Sequence, residues 1–403
     1  MPHNVGLNTG AIVMLINREL YTKQFIGLIL ANMFFWMSTN VFMPVLPLYY
    51  HSLGMNDHQV GIAVGAFSVG AILFRIFSGK AVDRYGGTRI IASGIVLSTV
   101  AIISYAYSHT LLTAALSRFF HGVGISFYSA AALTTASLIH SDKHTAEALA
   151  TYTLFAMFGV GIANASANYL YQFGSLTLVL AVGGTATLLS LLLYPKKPKL
   201  YVRPAAPVAA LPIAEVISLP AVYVPTLSLL AVQFCFGSAM TFMPLLMLSY
   251  HINEISPYYI AYAITVIFSR AWVSQLCNRF TAQRVAYAIL LLFTVSMLVV
   301  GLFPSTLTLV LCGAGLGIGY GLAFPSLATI ITDATQPANR GTAFGVYTTA
   351  VDAGIGIGSI GMGFVAGEWG YTAVFLTASV YVLLYAMFYR SVLWKRMEIA
   401  KDR

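Results

Sequence analysis

Charge is scarce in this sequence. Asp, Glu, Lys and Arg make up 8% of its 403 residues, against 59% hydrophobic residues and a mean hydropathy of +0.82. Soluble globules carry about 25% charged residues, so this composition excludes a water-soluble fold and requires a bilayer as solvent. Acid is scarcer than base, with 12 Asp and Glu against 21 Lys and Arg and a net charge of +9. In a soluble chain that excess would point to nucleic acid. Here the basic residues lie between apolar stretches, as membrane topology requires, and no nucleic-acid partner is expected. The three cysteines, Cys235, Cys277 and Cys312, fall in or at the ends of apolar runs without paired or metal-ligand spacing. Packing roles are expected for them, with no metal site. The absence of a P-loop argues against ATP-driven pumping. Residues 11–16 are too short and too poorly flanked for a secretory signal, so no cleaved presequence is expected.

Long apolar runs are abundant. About twenty residues at 1.5 Å each cross a hydrocarbon core of about 30 Å. Such runs recur at 24–49, 58–79, 88–107, 111–133, 146–169 and 175–194, then at 221–248, 257–277, 283–303, 306–331, 341–365 and 371–393. They predict an all-α membrane protein of twelve transmembrane helices. Lys and Arg occupy the N-terminal segment, alternate loops at 80–89, 143, 196–203, 279–284 and 340, and the C-terminus from Arg390. The intervening loops at 51–57, 108–110, 171–174, 251–256, 304–305 and 368–370 contain neither. That asymmetry predicts that both termini are cytoplasmic.

The chain also repeats itself. An offset of 195 carries Arg75, Asp83, Arg84 and Arg89 onto Arg270, Asn278, Arg279 and Arg284. The same offset carries Gly122 and Gly124 onto Gly317 and Gly319, and Tyr152 onto Tyr347. At an offset of 200, Phe42-Met43-Pro44 matches Phe242-Met243-Pro244. Two six-helix halves follow, 1–194 and 221–403, joined by a Pro-, Lys- and Ala-rich cytoplasmic linker at 195–220.

Two six-helix halves with Gly79, Asp83, Arg84, Gly86 and Arg89 in the loop after the second span resemble the major facilitator superfamily of secondary transporters. In the fourth span, Arg118-Phe119-Phe120-His121-Gly122-Val123-Gly124 resembles the Arg and Gly pattern of proton-coupled members. His121 stands where a Gln is common, and Gly159-Val160-Gly161 lacks the Gly-Pro pair of drug antiporters. The resemblance implies a monomeric plasma-membrane carrier, bacterial and multi-pass, moving a small molecule with protons and using no cofactor beyond the proton gradient. Its drug and metabolite antiporter branch implies export. A multidrug pump, a dedicated exporter of an opine-type metallophore or other carboxylate-bearing metabolite, and an uptake symporter all fit. A non-transporting receptor or scaffold is the alternative from another class.

Charge inside hydrocarbon is costly, about 2.5 to 3.5 kcal/mol on insertion scales. Arg118 and Asp352 stand out. With a 30 Å core they lie about 10 Å and about 14 Å below the outer face, nearly level, although depth alone does not fix contact. The expectation is that Asp352 binds and releases a proton while Arg118 tunes it or holds substrate. The alternative is a permanent structural pair. His121 shares the face of Arg118 and is a candidate for substrate contact or for packing. Asn32, Trp36 and Asn40 line one face of the first span; Tyr128 follows His121 by two turns, and Gln233 is the isolated amide of the seventh span. The resemblance implies that the first, fourth, seventh and tenth spans line the cavity, which makes these residues candidate substrate contacts. His140 and His144 read as a solvated loop. Glycines 354, 356, 358, 361 and 363 in the eleventh span, with Gly159 and Gly161 in the fifth, permit close approach and sliding of helices.

The loop at 79–89 reads as a cytoplasmic gate. Asp83 suits the positive start of the helix beginning at Arg340-Gly341, and the resemblance implies the same contact. Its repeat equivalent, Asn278, has no charge, while Gly79 and Gly86 are replaced by Ser274 and Thr281. The latch is therefore expected to be asymmetric. Asp83→Asn should remove most transport and Asn278→Ala little of it, measured as initial uptake into everted vesicles; the reverse ranking would refute the asymmetry.

Overall fold

The computed structural model describes residues 21–139, 145–196, 198, 211–252, 254–336 and 339–395. Over these the chain is helix and short connections. Hydrocarbon offers backbone amides and carbonyls no water, and a helix satisfies them within one segment. The helices are α1 (Lys23–Asn40), α2 (Val45–Ser52), α3 (Asp57–Tyr85), α4 (Gly87–Ser104), α5 (Leu111–Leu138), α6 (Thr145–Leu193) and α7 (Ile213–Ser218). They continue with α8 (Pro220–Ser249), α9 (Ser256–Ala271), α10 (Val273–Phe280), α11 (Ala282–Leu302), α12 (Thr306–Ala334) and α13 (Arg340–Phe388). Among the described residues, 8 stretches are long and apolar enough to cross a membrane.

Helices α6 and α13 have 49 residues each, about 73 Å of helix, roughly twice a crossing. Each breaks where its backbone leaves helical angles, α6 at Gly174 and Ser175 (φ 53°) and α13 at Gly370 (φ 78°). Ser175 and Gly370 are related by the 195 offset. So are Gly86 (φ 83°, ψ 146°) and Thr281 (φ 64°, ψ 147°), which separate α3 from α4 and α10 from α11. The capping box of Thr110 and Thr113 at the start of α5 likewise recurs as Ser305 and Thr308 before α12. The repeat therefore extends to backbone angles and caps. It is less exact in the first span, expected over 24–49 and found as one candidate crossing from Lys23 to Ser52. There α1 ends at Asn40 and α2 begins at Val45, because Pro44 has no amide to continue the ladder.

Packing repeats too. In the first half α1 packs on α6, and α3 and α4 pack on α5; in the second α8 packs on α13, and α9 and α11 pack on α12. The halves meet along α3 with α13 and along α6 with α9, a matching pair of seams. At the first seam a Cβ on Gly61 would fall 3.0 Å from the Gly363 Cα, so the backbones touch. Polar links follow the same path. Tyr371 donates to Asp57 Oδ1 at 2.7 Å, Asn168 donates to Ser256 at 3.3 Å, and His58 lies 3.9 Å from Glu368. All three lie at the end whose loops lack Lys and Arg. Toward the basic end, a Cβ on Gly79, Gly341 or Gly345 would meet nothing within 4 Å. The three links tie the halves together at the base-poor end.

Residues 197 and 199–210 of the linker, His140, His144, and the side chains of Asp83, Ser274 and Asn278 lie outside the described residues. Thr281 holds angles that suit glycine, at a cost of about 1 to 3 kcal/mol. Thr281→Gly should therefore stabilise the purified protein and Gly86→Thr destabilise it, by about 1 kcal/mol or more each, read as a raised and a lowered thermal midpoint.

Candidate transport site

Three arginines and one aspartate lie deep among the helices: Arg75 on α3, Arg118 on α5, Arg270 on α9 and Asp352 on α13. Glycines place Asp352. Gly354 lets α13 rest on Leu230 and Gln233 of α8, and Gly356 brings it against Gly65 and Ser68 of α3. One turn earlier on α13, the Asp352 carboxylate accepts a hydrogen bond from Arg75 Nη2, and the two form an ion pair across the seam. Their side chains are 23% and 10% exposed, so this pair is largely desolvated.

The level placement of Arg118 and Asp352 needs correction. The first leg of α13, from Arg340 to Gly370, is about 45 Å long, well over the 30 Å core used to set depth. Asp352 lies about 18 Å from its basic end, whereas Arg118 lies about 10 Å from the opposite end of α5. Arg75 is about 15 Å from the basic end and meets Asp352 instead.

Arg118 is 1% exposed. It donates to Tyr105 Oη at 3.4 Å and to the Val64 carbonyl at 3.3 Å, and lies over the Phe67 ring at 4.5 Å. Among the described residues no carboxylate lies within ion-pair distance of it. His121 has Nδ1 2.6 Å from Tyr105 Oη and Nε2 3.5 Å from Thr39 Oγ1. Arg118 and His121 thus share Tyr105 in one closed knot, separate from Asp352.

The amides of α1 are engaged. Asn32 donates to the Tyr152 carbonyl at 2.9 Å and accepts from Tyr128 at 3.4 Å, while Tyr128 stacks on Phe35. Asn40 donates back to the Trp36 carbonyl, and Trp36 itself is only partly buried. Gln233 lies in the second half, near the Tyr320 hydroxyl. That hydroxyl also lies near Arg270 and Asp352. Arg270 is surrounded by Tyr320, Tyr262 and Tyr347, and the Tyr320 ring lies 4.6 Å from Phe236.

Arg75, Arg270 and Tyr320 were not among the sequence candidates. The signal for the two arginines was present, since they are repeat equivalents, but both sat too near the predicted span ends to read as buried. At the basic end, Arg84 lies over Tyr85, Gly79, Gly86 and Arg89 flank the turn from α3 to α4, and Arg340 donates to the Thr332 and Thr335 carbonyls of its own half. Among the described residues no three His, Cys, Asp or Glu side chains group as metal ligands.

Two matched sets of helices around a charged, desolvated seam define a membrane carrier. The sequence profile of the Major Facilitator Superfamily matches residues 28–316 and 258–400, and the chain belongs to that family. It is a multi-pass bacterial membrane protein and a secondary transporter rather than an enzyme. The chain is 21% identical over 376 residues to the staphylopine export protein of Staphylococcus aureus, covering 89% of this chain and 94% of that one. It is 28% identical over 109 residues to the quinolone resistance protein NorA of the same species, covering 27% and 26%. Its fold is similar to that of a bacterial homologue of the human lysosomal transporter Spinster, with a TM-score of 0.76, 16% identity and coverage of 93% and 97%.

The seam pair yields a thermodynamic cycle. Arg75→Ala or Asp352→Asn alone leaves a polar partner uncompensated and should cost about 3 to 5 kcal/mol. Arg75→Met with Asp352→Leu should recover most of that loss in thermal unfolding of the solubilised protein. Losses that merely add would show that the two side chains do not act as a pair.

Proposed function

We propose that this protein is a proton-coupled exporter, a proton antiporter, of a small organic solute that carries both carboxylate and amine groups, of the opine type. The chain crosses the membrane twelve times with both termini in the cytoplasm, and residues 1–194 and 221–403 rock as two bodies about the site. The observation that carries this reading is the Arg75 and Asp352 pair, an acid and a base largely desolvated at the seam between the halves. Asp352 has a proton and Arg75 to exchange. With the pair intact the site faces the cytoplasm and loads substrate. Once substrate has left on the outer side, a proton from outside neutralises Asp352, and its release to the cytoplasm after the return leg restores the pair. Arg118, held apart by Tyr105 and Val64, sets the charge of the first half rather than trading the proton.

Export is supported by the full-length likeness to a protein named for staphylopine export, and the opine-type solute by the same likeness together with the positive interior. The shorter match to NorA supports a drug substrate less. At the basic end, Gly79, Asp83, Arg84, Gly86, Arg89 and Arg340 close the cytoplasmic side in the outward-facing state.

The test compares metabolites inside and outside cells with and without the gene. An amine-bearing carboxylate should accumulate outside expressing cells and inside deletion cells, and collapse of the proton gradient should abolish the difference. Asp352→Asn should behave as the deletion. If this variant still exports against a concentration gradient driven by pH, Asp352 does not carry the proton.

A further inference from the structure

The two seams are images of one another in the repeat, yet only one carries an acid. Arg75 on α3 and Arg270 on α9 are equivalent at the 195 offset, as are the partner helices α13 and α6. Gly356 of α13 sits against Gly65 and Ser68, and its equivalent Gly161 of α6 sits against Ala263 and Ile267. One turn before Gly356 is Asp352; one turn before Gly161 is Met157. The position that supplies the carboxylate to Arg75 therefore holds a thioether in the other half.

Arg270 has no carboxylate within ion-pair distance among the described residues. It lies instead among the hydroxyl-bearing rings of Tyr320, Tyr262 and Tyr347. Tyr347 is committed, donating to the Phe324 carbonyl at 2.7 Å. Tyr262 is fully buried and its hydroxyl has no hydrogen-bond partner. Gln233 is 3% exposed, and its Oε1 is likewise without one. A desolvated guanidinium without a counter-ion, beside a buried hydroxyl donor without an acceptor, is a costly arrangement unless an anion completes it. Arg270 itself is mostly buried without being sealed off.

We propose that Arg270 and the Tyr262 and Tyr320 hydroxyls form a carboxylate-binding subsite, with Gln233 Oε1 accepting an N–H next to that carboxylate. The substrate supplies from outside the chain the acid that the repeat lacks at Met157. Planar guanidinium matches a carboxylate by two parallel hydrogen bonds. The phenol hydroxyls add donors that a lysine site would lack. This assignment rests on the reading of the protein as a carrier of a carboxylate-bearing solute, and adds where that carboxylate is held.

The test is binding in detergent, which needs neither a proton gradient nor transport. Thermal midpoints are measured with sodium glutamate, sodium succinate and inorganic phosphate, for wild type, Arg270→Gln and Met157→Asp. Glutamate should raise the wild-type midpoint by about 2 °C at a tenfold excess over its Kd, succinate should raise it less, and phosphate should not raise it. Arg270→Gln should lose the shift. Met157→Asp should raise the midpoint without ligand, by pairing with Arg270, and also lose the glutamate shift; this keeps the test decisive if Arg270→Gln folds poorly. No glutamate shift in wild type, a shift that survives in both variants, or an equal shift with phosphate overturns the proposal. Failure of Asp352→Asn to abolish coupling, with the glutamate shift intact, would count against the antiport mechanism alone.

Discussion

The fold depends on one costly contact, the ion pair of Arg75 and Asp352 between the halves. Desolvating two charges usually gives back most of what their attraction supplies, so such a pair adds little net stability while leaving one partner alone is expensive. Its consequence is registry. It can form only if α3 and α13 cross closely enough for an arginine on one to reach an aspartate on the other. Small residues along the crossing, Gly61 and Gly65 against Gly356 and Gly363, make that possible. From the pair to the base-poor end the seam is closed by backbone contact and by the Tyr371 and Asp57 bond. The charges therefore sit within the seam, on the basic side of those contacts.

The halves agree in backbone and disagree in chemistry. Thr281 accepts glycine-like angles to keep the turn that Gly86 makes, and Ser175 breaks α6 where Gly370 breaks α13. Side chains at equivalent positions are not so constrained. Arg118 corresponds to Gly313, which lets the Tyr258 backbone approach α12 where the first half instead holds a guanidinium. Asp352 corresponds to Met157 and Asp83 to Asn278. The first half thus has its cation bound into a knot with Tyr105 and His121, while the second presents tyrosines around Arg270. A symmetric frame with an asymmetric lining is what one oriented substrate requires.

The all-helical, multi-span character and the repeat were legible in the sequence because each is a property of the chain in one dimension: hydropathy and offset. Contacts between halves were not. Asp352 was visible as a charge out of place, but its partner depends on helix azimuth and on legs longer than the hydrocarbon core. Arg75 looked like the start of a loop, since it lies four residues from the predicted end of its span. His121 was placed on the right face with Arg118, yet the hydroxyl joining them, Tyr105, comes from a short turn after α4 that periodicity does not position. Pro44 was visible as well, but whether a proline kinks a span or rides inside it depends on packing; its equivalent Pro244 lies within α8.

The sign of coupling places a further constraint on the substrate. Ligands of one site that relieve the same charge oppose one another, and ligands of opposite effect assist one another, reciprocally. A purely anionic solute near Asp352 would bind better once that carboxylate is neutralised, so proton and solute would travel together. Antiport requires competition. On the proposed antiport reading, a solute with its carboxylate on Arg270 and an ammonium toward Asp352 meets that requirement, because protonating Asp352 removes the charge that holds the ammonium. On the same proposed reading, the acid calls for a positive group on the solute, and the arginine without an ion-pair partner among the described residues calls for a negative one.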